Sequence, residues 1–136
     1  DLEAWEQEYG RIPEGAFVAF RSDWYKKDNL DNPDENGVPH YPGWSTDAIS
    51  WLVEERNIGA IGHEPADTDP GFVTTAEGCY PYPGEKLILQ YDRIQIEVMR
   101  NFDQVPPVGA VIFCSFPKLK DGSGFPARCF AICPVE

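Results

Sequence analysis

The chain has 136 residues, of which 42% are hydrophobic and 13% aromatic; this composition supports one folded domain with a core and excludes wholesale disorder. Against 23 acidic residues stand 11 basic ones, which gives a formal net charge of -12. Because so acidic a surface repels phosphate backbones and anionic membranes, neither nucleic acid nor a membrane is expected as a partner.

The first half of the chain predicts alternating helices and strands. Apolar residues at helical spacing predict a short helix that ends at Gly10, and a nearly continuous apolar run predicts a buried strand after it. A long polar loop then leads to a helix that Ser45 caps, followed by a short strand whose glycines indicate close packing. The predicted bounds are residues 1–10, 16–21, 48–56 and 58–62, with the loop over 25–44.

The second half predicts one further helix and three strands. An irregular segment over residues 63–84 precedes a short helix expected over 85–91. Residues 93–98 alternate strictly between polar and apolar, which predicts a half-buried strand with Glu97 on its polar face. Two apolar runs predict two more strands, over residues 110–114 and 128–133.

The N-terminus and the cysteines indicate where the protein resides. The first residue is not Met and lies inside a helical pattern, so we expect the chain to be a piece of a longer protein. No segment has the ~18 uncharged apolar residues of a membrane span, and the N-terminus has neither the basic region nor the apolar core of a signal peptide. The 4 cysteines lack a Cys-x-x-Cys pair, which favours free thiols in a reducing compartment and a cytoplasmic protein.

One polar segment imitates a calcium-binding loop. Residues 32–37 place oxygen-bearing side chains at alternate positions, with Gly37 sixth, as in the first half of such a loop. The twelfth position is Gly43 instead of a bidentate Glu. An ordinary polar turn is therefore favoured.

Four candidate metal ligands follow the predicted strand over 58–62, where an α/β sheet presents its site. They are His63, Glu64, Asp67 and Asp69. The same residue types also form turns and caps on surface loops. The spacing alone favours this second interpretation.

Glu85 and Glu97 form a second candidate pair. Glu85 opens a predicted helix and Glu97 lies on the next strand, so the two carboxylates can meet and hold a metal. Alternatively, Glu85 complements the positive end of its helix, and Glu97 pairs with Arg93 or Arg128.

Residues 118–128 form a locally basic, glycine-rich segment in this acidic chain. Its last residue, Arg128, can bind a substrate carboxylate through two parallel hydrogen bonds. A flexible connection whose lysines give solubility is the alternative. No serine lies in an elbow motif, so a nucleophile triad is not supported.

Several segments together resemble the metal-dependent hydrolases of the cyclase family, whose members include bacterial-type kynurenine formamidase and isatin hydrolase. The resemblance covers most of the chain. The segments are GRIPEG (10–15), FRSDW (20–24), YPGWS (41–45), IGHE with DTD (61–69), QIE with NFDQVP (95–106) and GSGFPAR (122–128).

The resemblance implies an α/β fold, a three-layer β/β/α swivelling domain of which residues 1–136 are the C-terminal part. The family's main metal motif, His-x-Gly-Thr-His-x-Asp-x-Pro, is absent here and belongs to an N-terminal half that would be a missing partner. The family completes its site with a later His and Glu; Glu97 matches the Glu, whereas Glu85 replaces the His. A divalent metal is implied, and the extra carboxylate shifts the preference from zinc toward manganese.

The resemblance further implies hydrolysis of a small cyclic or formyl amide by a metal-activated water. Glu97 and Glu85 are then the candidate metal ligands, and Arg128, His63 and Glu64 are the candidate substrate-binding residues. Family members commonly form homo-oligomers, which is expected here by analogy. The competing hypothesis is a non-catalytic binding or regulatory module on the same scaffold, which lacks the N-terminal metal motif.

Overall fold

The structure is a computed structural model that describes residues 1–75 and 81–135. The chain divides into two compact units, Asp1–Phe102 and Asp103–Glu136. The prediction that all 136 residues belong to one cyclase-family domain stays a prediction. Cys79 lies outside the described residues, and the thiols of Cys114, Cys129 and Cys133 are free.

The first unit alternates helices with strands, as the sequence predicts. Its helices are α1 (Leu2–Tyr9), α2 (Thr46–Glu54), α3 (Gly71–Thr75) and α4 (Pro83–Gln90), and its strands are β1 (Phe17–Phe20), β2 (Ala60–His63) and β3 (Ile94–Ile96). Within the described residues, no helix combines the length and the hydrophobicity needed to cross a membrane.

The three strands form a parallel sheet in the order β1-β2-β3. Phe20 pairs with His63 and Gly62 pairs with Ile96, so the three strands end at nearly the same level. Polar residues that follow these strands therefore meet at one edge of the sheet, where parallel sheets of α/β proteins bind ligands.

Helix α2 supplies much of the core beside this sheet. The Ser45 hydroxyl caps it by accepting the Ala48 N–H at 3.1 Å, as the sequence predicts. Its apolar stripe is buried together with isoleucines from the neighbouring elements. The fully buried members of this core are Ile49, Leu52, Ile58, Ile61 and Ile88.

Strand β3 differs from its prediction. It is shorter than the alternating pattern over 93–98, and its apolar face is buried only in part: Ile96 is partly buried, whereas Ile94 is 48% exposed and Val98, beyond the strand, is 58% exposed. The reason is that β3 is the edge strand of the sheet, and the described residues leave Ile94 exposed.

Two further bounds differ from prediction. Helix α4 begins at Pro83 because proline is well suited to the first turn of a helix. Helix α3 lies within the segment that was expected to be irregular.

The segment that imitates a calcium loop forms a polar turn. The Asp34 carboxylate accepts the N–H groups of Asn36 at 2.8 Å and Val38 at 2.9 Å. These local bonds use the Asp34 oxygen Oδ1 to close the turn.

The second unit contains the last two predicted strands, β4 (Val111–Ser115) and β5 (Arg128–Ile132). They pair antiparallel, with Cys114 opposite Cys129. The stacked rings of Phe113 and Phe130 lie on an exposed apolar face of this hairpin.

Candidate metal centre

Three carboxylates meet at the carboxyl edge of the parallel sheet. Asp67 lies in the loop that follows β2, Glu85 in the first turn of α4, and Glu97 directly after β3. One ligand oxygen from each lies within 4.8 Å of the other two, and all three residues are partly buried. The structure thus brings together the predicted pair Glu85 and Glu97, with Asp67 as a third member.

Asp69 fixes the distance between the loop after β2 and helix α4. Its Oδ1 accepts the Gly84 N–H at 2.7 Å and its Oδ2 accepts the Glu85 N–H at 3.0 Å. A Cβ atom at position 84 would lie 2.9 Å from Oδ1, so only glycine leaves room for this cap. The capping interpretation is therefore confirmed for Asp69, and its effect is to place Glu85 beside Asp67.

Thr68 connects the same loop to β3. Its hydroxyl donates to Gln95 Oε1 at 2.6 Å, and its N–H donates to Glu97 Oε1 at 3.2 Å. Because Thr68 is fully buried, water does not compete for these bonds. They hold the polar face of β3 against the loop.

The backbone turns sharply just after Glu97. Val98 has φ of +53°, a left-handed conformation that is unfavourable for a β-branched residue. Two backbone bonds hold it there: the Val98 N–H donates to the Pro65 carbonyl at 3.0 Å, and the Met99 N–H donates to the His63 carbonyl at 2.9 Å. The strained turn therefore anchors the Glu97 region to the end of β2.

The segment containing YPGWS supports the loop from the other side. The Tyr41 hydroxyl donates to Asp67 Oδ2, and Tyr41 is only 5% exposed. The Trp44 N–H donates to the Thr68 carbonyl at 2.7 Å. Asp67 is thus held by a side chain that the loop over 25–44 contributes.

The charges at this edge repel one another. Burial is the largest cause that raises the pKa of Glu85 above its ordinary value, and the carboxylate of Glu97 is the next. Asp67 and Asp69 add to this effect. A cluster of this kind is stabilised by a proton or a cation, and carboxylate oxygens are the ligands that hard divalent ions prefer.

A fully buried imidazole lies behind the cluster. The side chain of His63 is 0% exposed, and its Nε2 lies 3.7 Å from Glu97 Oε1. Neither ring nitrogen has a hydrogen-bond partner. Such an orphaned buried donor fits a site in which an additional charged group completes the polar contacts.

Glu64 holds the chain that follows β1. Its Oε2 accepts the Ser22 N–H at 3.0 Å, the Ser22 hydroxyl at 3.2 Å and the Trp24 N–H at 3.0 Å. These bonds join the FRSDW segment to the end of β2. The predicted role of His63 and Glu64 in substrate binding stays a prediction.

The arginines take other places. Arg93 donates to the Ile58 carbonyl and to Asn57 Oδ1, each at 2.8 Å, so it does not form the pair with Glu97 that was an alternative to metal binding. Arg128 is the exposed first residue of β5, in the second unit. Its role in substrate binding stays a prediction.

Sequence reasoning did not select Asp67 as a ligand. The sequence does contain a signal for metal ligands in this segment, because four potential ligands occur between residues 63 and 69. Turns and caps account for such residues equally well, and one of the four, Asp69, is indeed a cap. Only the fold distinguishes the two roles.

The chain is an α/β protein with a candidate metal site, because acidic residues meet at the carboxyl edge of its parallel sheet. The family model described as "Putative cyclase" matches residues 1–70, and the chain belongs to this family. It is 33% identical over 137 residues to an isatin hydrolase of Roseibium aggregatum, covering 98% of this chain and 51% of that protein.

Known structures agree with this assignment. Isatin hydrolase A from Labrenzia aggregata, bound to benzyl benzoate, is 38% identical with a TM-score of 0.87, covering 97% of this chain and 51% of that one. Isatin hydrolase A from Ralstonia solanacearum is 39% identical with the same TM-score of 0.87, covering 98% and 51%. An isatin hydrolase bound to the product analogue thioisatinate is 33% identical.

These matches confirm the predicted family and its α/β fold, as a partial domain. The chain spans about half the length of the relatives that it matches.

Proposed function

We propose that this chain is the C-terminal part of a metal-dependent hydrolase that cleaves the amide bond of a small cyclic or formyl amide. The observation that carries the proposal is the cluster of Asp67, Glu85 and Glu97, whose ligand oxygens lie within 4.8 Å of one another. Its position at the carboxyl edge of the sheet, in a chain of the cyclase family, supports the same conclusion.

The three carboxylates are the residues that would hold the ion. An all-oxygen set of this kind suits manganese better than zinc, which prefers nitrogen and sulfur ligands. When bound, a divalent ion supplies a Lewis acid that lowers the pKa of water and polarises an amide carbonyl. The remaining ligands would come from imidazoles of an N-terminal half.

The other residues of the cluster keep these carboxylates in place. The Tyr41 hydroxyl donates to Asp67, the Thr68 N–H donates to Glu97, and the Asp69 cap fixes the turn that carries Glu85. Two of the carboxylates, those of Asp67 and Glu97, accept a bond from a neighbouring residue, and the third is positioned through the backbone of Glu85. These bonds keep the oxygens close despite their mutual repulsion. This pre-organisation is what a resident ion requires.

The substrate class rests on the relatives. Their names describe hydrolysis of isatin, a cyclic amide, and one of them binds an analogue of its product. Arg128 is the candidate for binding a substrate carboxylate. A cytoplasmic homo-oligomer remains the expected state of the whole protein.

Hydrolysis by the intact protein tests this proposal. After removal of metal by a chelator, isatin and a formyl amide are supplied with Mn²⁺, with Zn²⁺ or without metal. We expect one of the two substrates to be hydrolysed only when a metal is supplied. The rate should be higher with Mn²⁺ than with Zn²⁺. We expect Glu97→Gln to lose both the activity and the bound metal, and the control Glu35→Gln, in an exposed turn, to keep both.

The competing function has a distinct outcome. No hydrolysis of either substrate with either ion, in a folded protein, would identify a non-catalytic module on the same scaffold. Unchanged metal content in Glu97→Gln would remove Glu97 from the site.

A further inference from the structure

We propose that His63 is a positioning residue for Glu97: its imidazole donates a hydrogen bond from Nε2 to the Glu97 carboxylate and so holds that ligand toward the ion. The inference rests on the proposed function, because it assigns a role at the same metal centre. It goes further by giving His63 a part that is neither metal ligand nor substrate contact.

The burial of the two side chains indicates which of them lies nearer the open edge of the sheet. His63 is 0% exposed and Glu97 is 32% exposed, so Glu97 lies between the imidazole and the open edge of the sheet. A side chain with no exposed surface is poorly placed to touch a substrate. It is well placed to act on Glu97 from behind.

The distances around His63 favour a positioning role over direct ligation of the metal. Nε2 of His63 lies 3.7 Å from Glu97 Oε1, whereas the group of ligand atoms within 4.8 Å of one another consists of Asp67, Glu85 and Glu97. Among the described residues, the imidazole is thus adjacent to one carboxylate and outside the shared cluster. Ligating carboxylates commonly have such an outer partner, which orients them.

The polar contacts of His63 are otherwise incomplete. Neither ring nitrogen has a hydrogen-bond partner, and buried imidazoles without any partner are rare in folded proteins. Its backbone carbonyl accepts the Met99 N–H at 2.9 Å, which fixes the end of β2 against the turn after Glu97. A small movement of the Glu97 side chain therefore completes the bond from Nε2.

Glu97 already receives one bond on the same oxygen. The Thr68 N–H donates to Oε1 at 3.2 Å. Two donors on Oε1, from Thr68 and His63, would restrict rotation of the carboxylate and leave Oε2 for the ion. A freely rotating carboxylate would lose conformational entropy on binding, so the second donor raises the affinity.

Binding of Mn²⁺ to the intact protein tests this role. His63→Leu removes the donor and fills the buried position with an apolar side chain. His63→Gln retains an N–H donor. We expect His63→Leu to weaken Mn²⁺ binding by about 10- to 100-fold, as for other outer partners of metal ligands. We expect His63→Gln to restore affinity to within about threefold of wild type.

A matched control uses the other histidine of the chain. His40 is 47% exposed and faces Asp34, so His40→Leu should leave Mn²⁺ affinity unchanged. Unchanged affinity in His63→Leu, or an equal loss in His63→Gln and His63→Leu, would overturn the proposal. The second result would mean that the imidazole matters only for packing.

A second measurement does not require a His63 variant to fold. In the metal-free intact protein, the ring nitrogens of His63 can be assigned through their correlations to its own backbone, and ¹⁵N NMR then shows which nitrogen carries the proton. We expect Nε2 to carry a proton; an unprotonated Nε2 would overturn the proposal. Failure of wild type to bind Mn²⁺ would instead reject the metal centre itself.

Discussion

The carboxylate of Asp69 caps helix α4 by accepting the Gly84 N–H at 2.7 Å. This contact joins the loop after β2 to the helix that carries Glu85. Two sequence segments 15 residues apart are thereby held at a fixed distance, and the carboxylates beside them, Asp67 and Glu85, are brought together. The candidate metal centre depends on this buried cap as much as on its own ligands.

Removing the cap should therefore destabilise the fold. Asp69→Ala leaves the N–H groups of Gly84 and Glu85 without an acceptor in a buried site. We expect it to lower the free energy of unfolding by about 2–3 kcal/mol, measured by urea denaturation. Asp47→Ala, at an exposed position in α2, serves as the control and should cost about 0.5 kcal/mol or less. Equal losses in the two variants would contradict the assigned cap.

Neutralising Glu85 should have opposite effects on two properties. Because burial and the neighbouring carboxylates disfavour its charge, we expect Glu85→Gln to raise the Tm of the metal-free protein at pH 7. The same change removes a ligand, so Mn²⁺ affinity should fall by at least about tenfold. Calorimetry of the metal-free protein and a Mn²⁺ titration check the two effects. A lower Tm together with unchanged affinity would show that Glu85 has only a structural role.

A separate ion pair in the first unit predicts a dependence of stability on acid pH. Arg56 donates two parallel hydrogen bonds to Glu6, from Nε to Oε1 at 2.7 Å and from Nη2 to Oε2 at 2.8 Å. The Arg56 hydrogen bond is the largest cause that lowers the pKa of Glu6 from 4.5 to about 2. A carboxyl whose pKa is lower in the folded state stabilises it above the unfolded pKa, and this contribution is lost as pH falls through the folded pKa.

The variant Glu6→Gln isolates this contribution. Its Tm should be below that of wild type at pH 7, and the difference should shrink as pH falls from 4.5 to about 2. Glu3→Gln, at an exposed position on the same helix, should track wild type throughout. A difference between Glu6→Gln and wild type that stays constant down to pH 2 would contradict the assigned pair.

Relieving the strained turn after Glu97 should stabilise the protein. Val98 has φ of +53° and is 58% exposed, so replacing it loses little apolar burial. Such a conformation costs about 1–3 kcal/mol for a residue other than glycine. We expect Val98→Gly to raise the free energy of unfolding by about 0.5–1 kcal/mol, after the greater entropy of unfolded glycine is subtracted.

A glycine in the neighbouring strand provides the comparison. Ile96→Gly, in the extended backbone of β3, should lower the free energy of unfolding by at least about 1 kcal/mol, because there is no strain to relieve. Destabilisation by Val98→Gly as large as by Ile96→Gly would show that the turn is not strained.

The sequence predicts the elements better than it predicts their surroundings. The Ser45 cap and the apolar stripe of α2 are local signals, and the structure confirms both. The half-burial expected for β3 holds at Ile96 and fails at Ile94, because alternation records only which residues share a face. It does not record what covers that face, and Ile94 is exposed on an edge strand.

The candidate site, too, could be predicted only in part from the sequence. Glu85 and Glu97 could be paired from the order of helix and strand, because that order brings their carboxylates to one edge. The separate roles of Asp67 and Asp69 could not be predicted. The two residues are alike in chemistry and lie two positions apart, and their roles depend on the direction of each side chain relative to α4.

Locating the ion tests the central claim most directly. Crystals of the intact protein grown with Mn²⁺ would be measured at the manganese absorption edge, where anomalous scattering marks the metal. We predict a peak within about 2.5 Å of a carboxylate oxygen from each of Asp67, Glu85 and Glu97. A peak bound by other residues, or no peak at saturating Mn²⁺, would contradict the account.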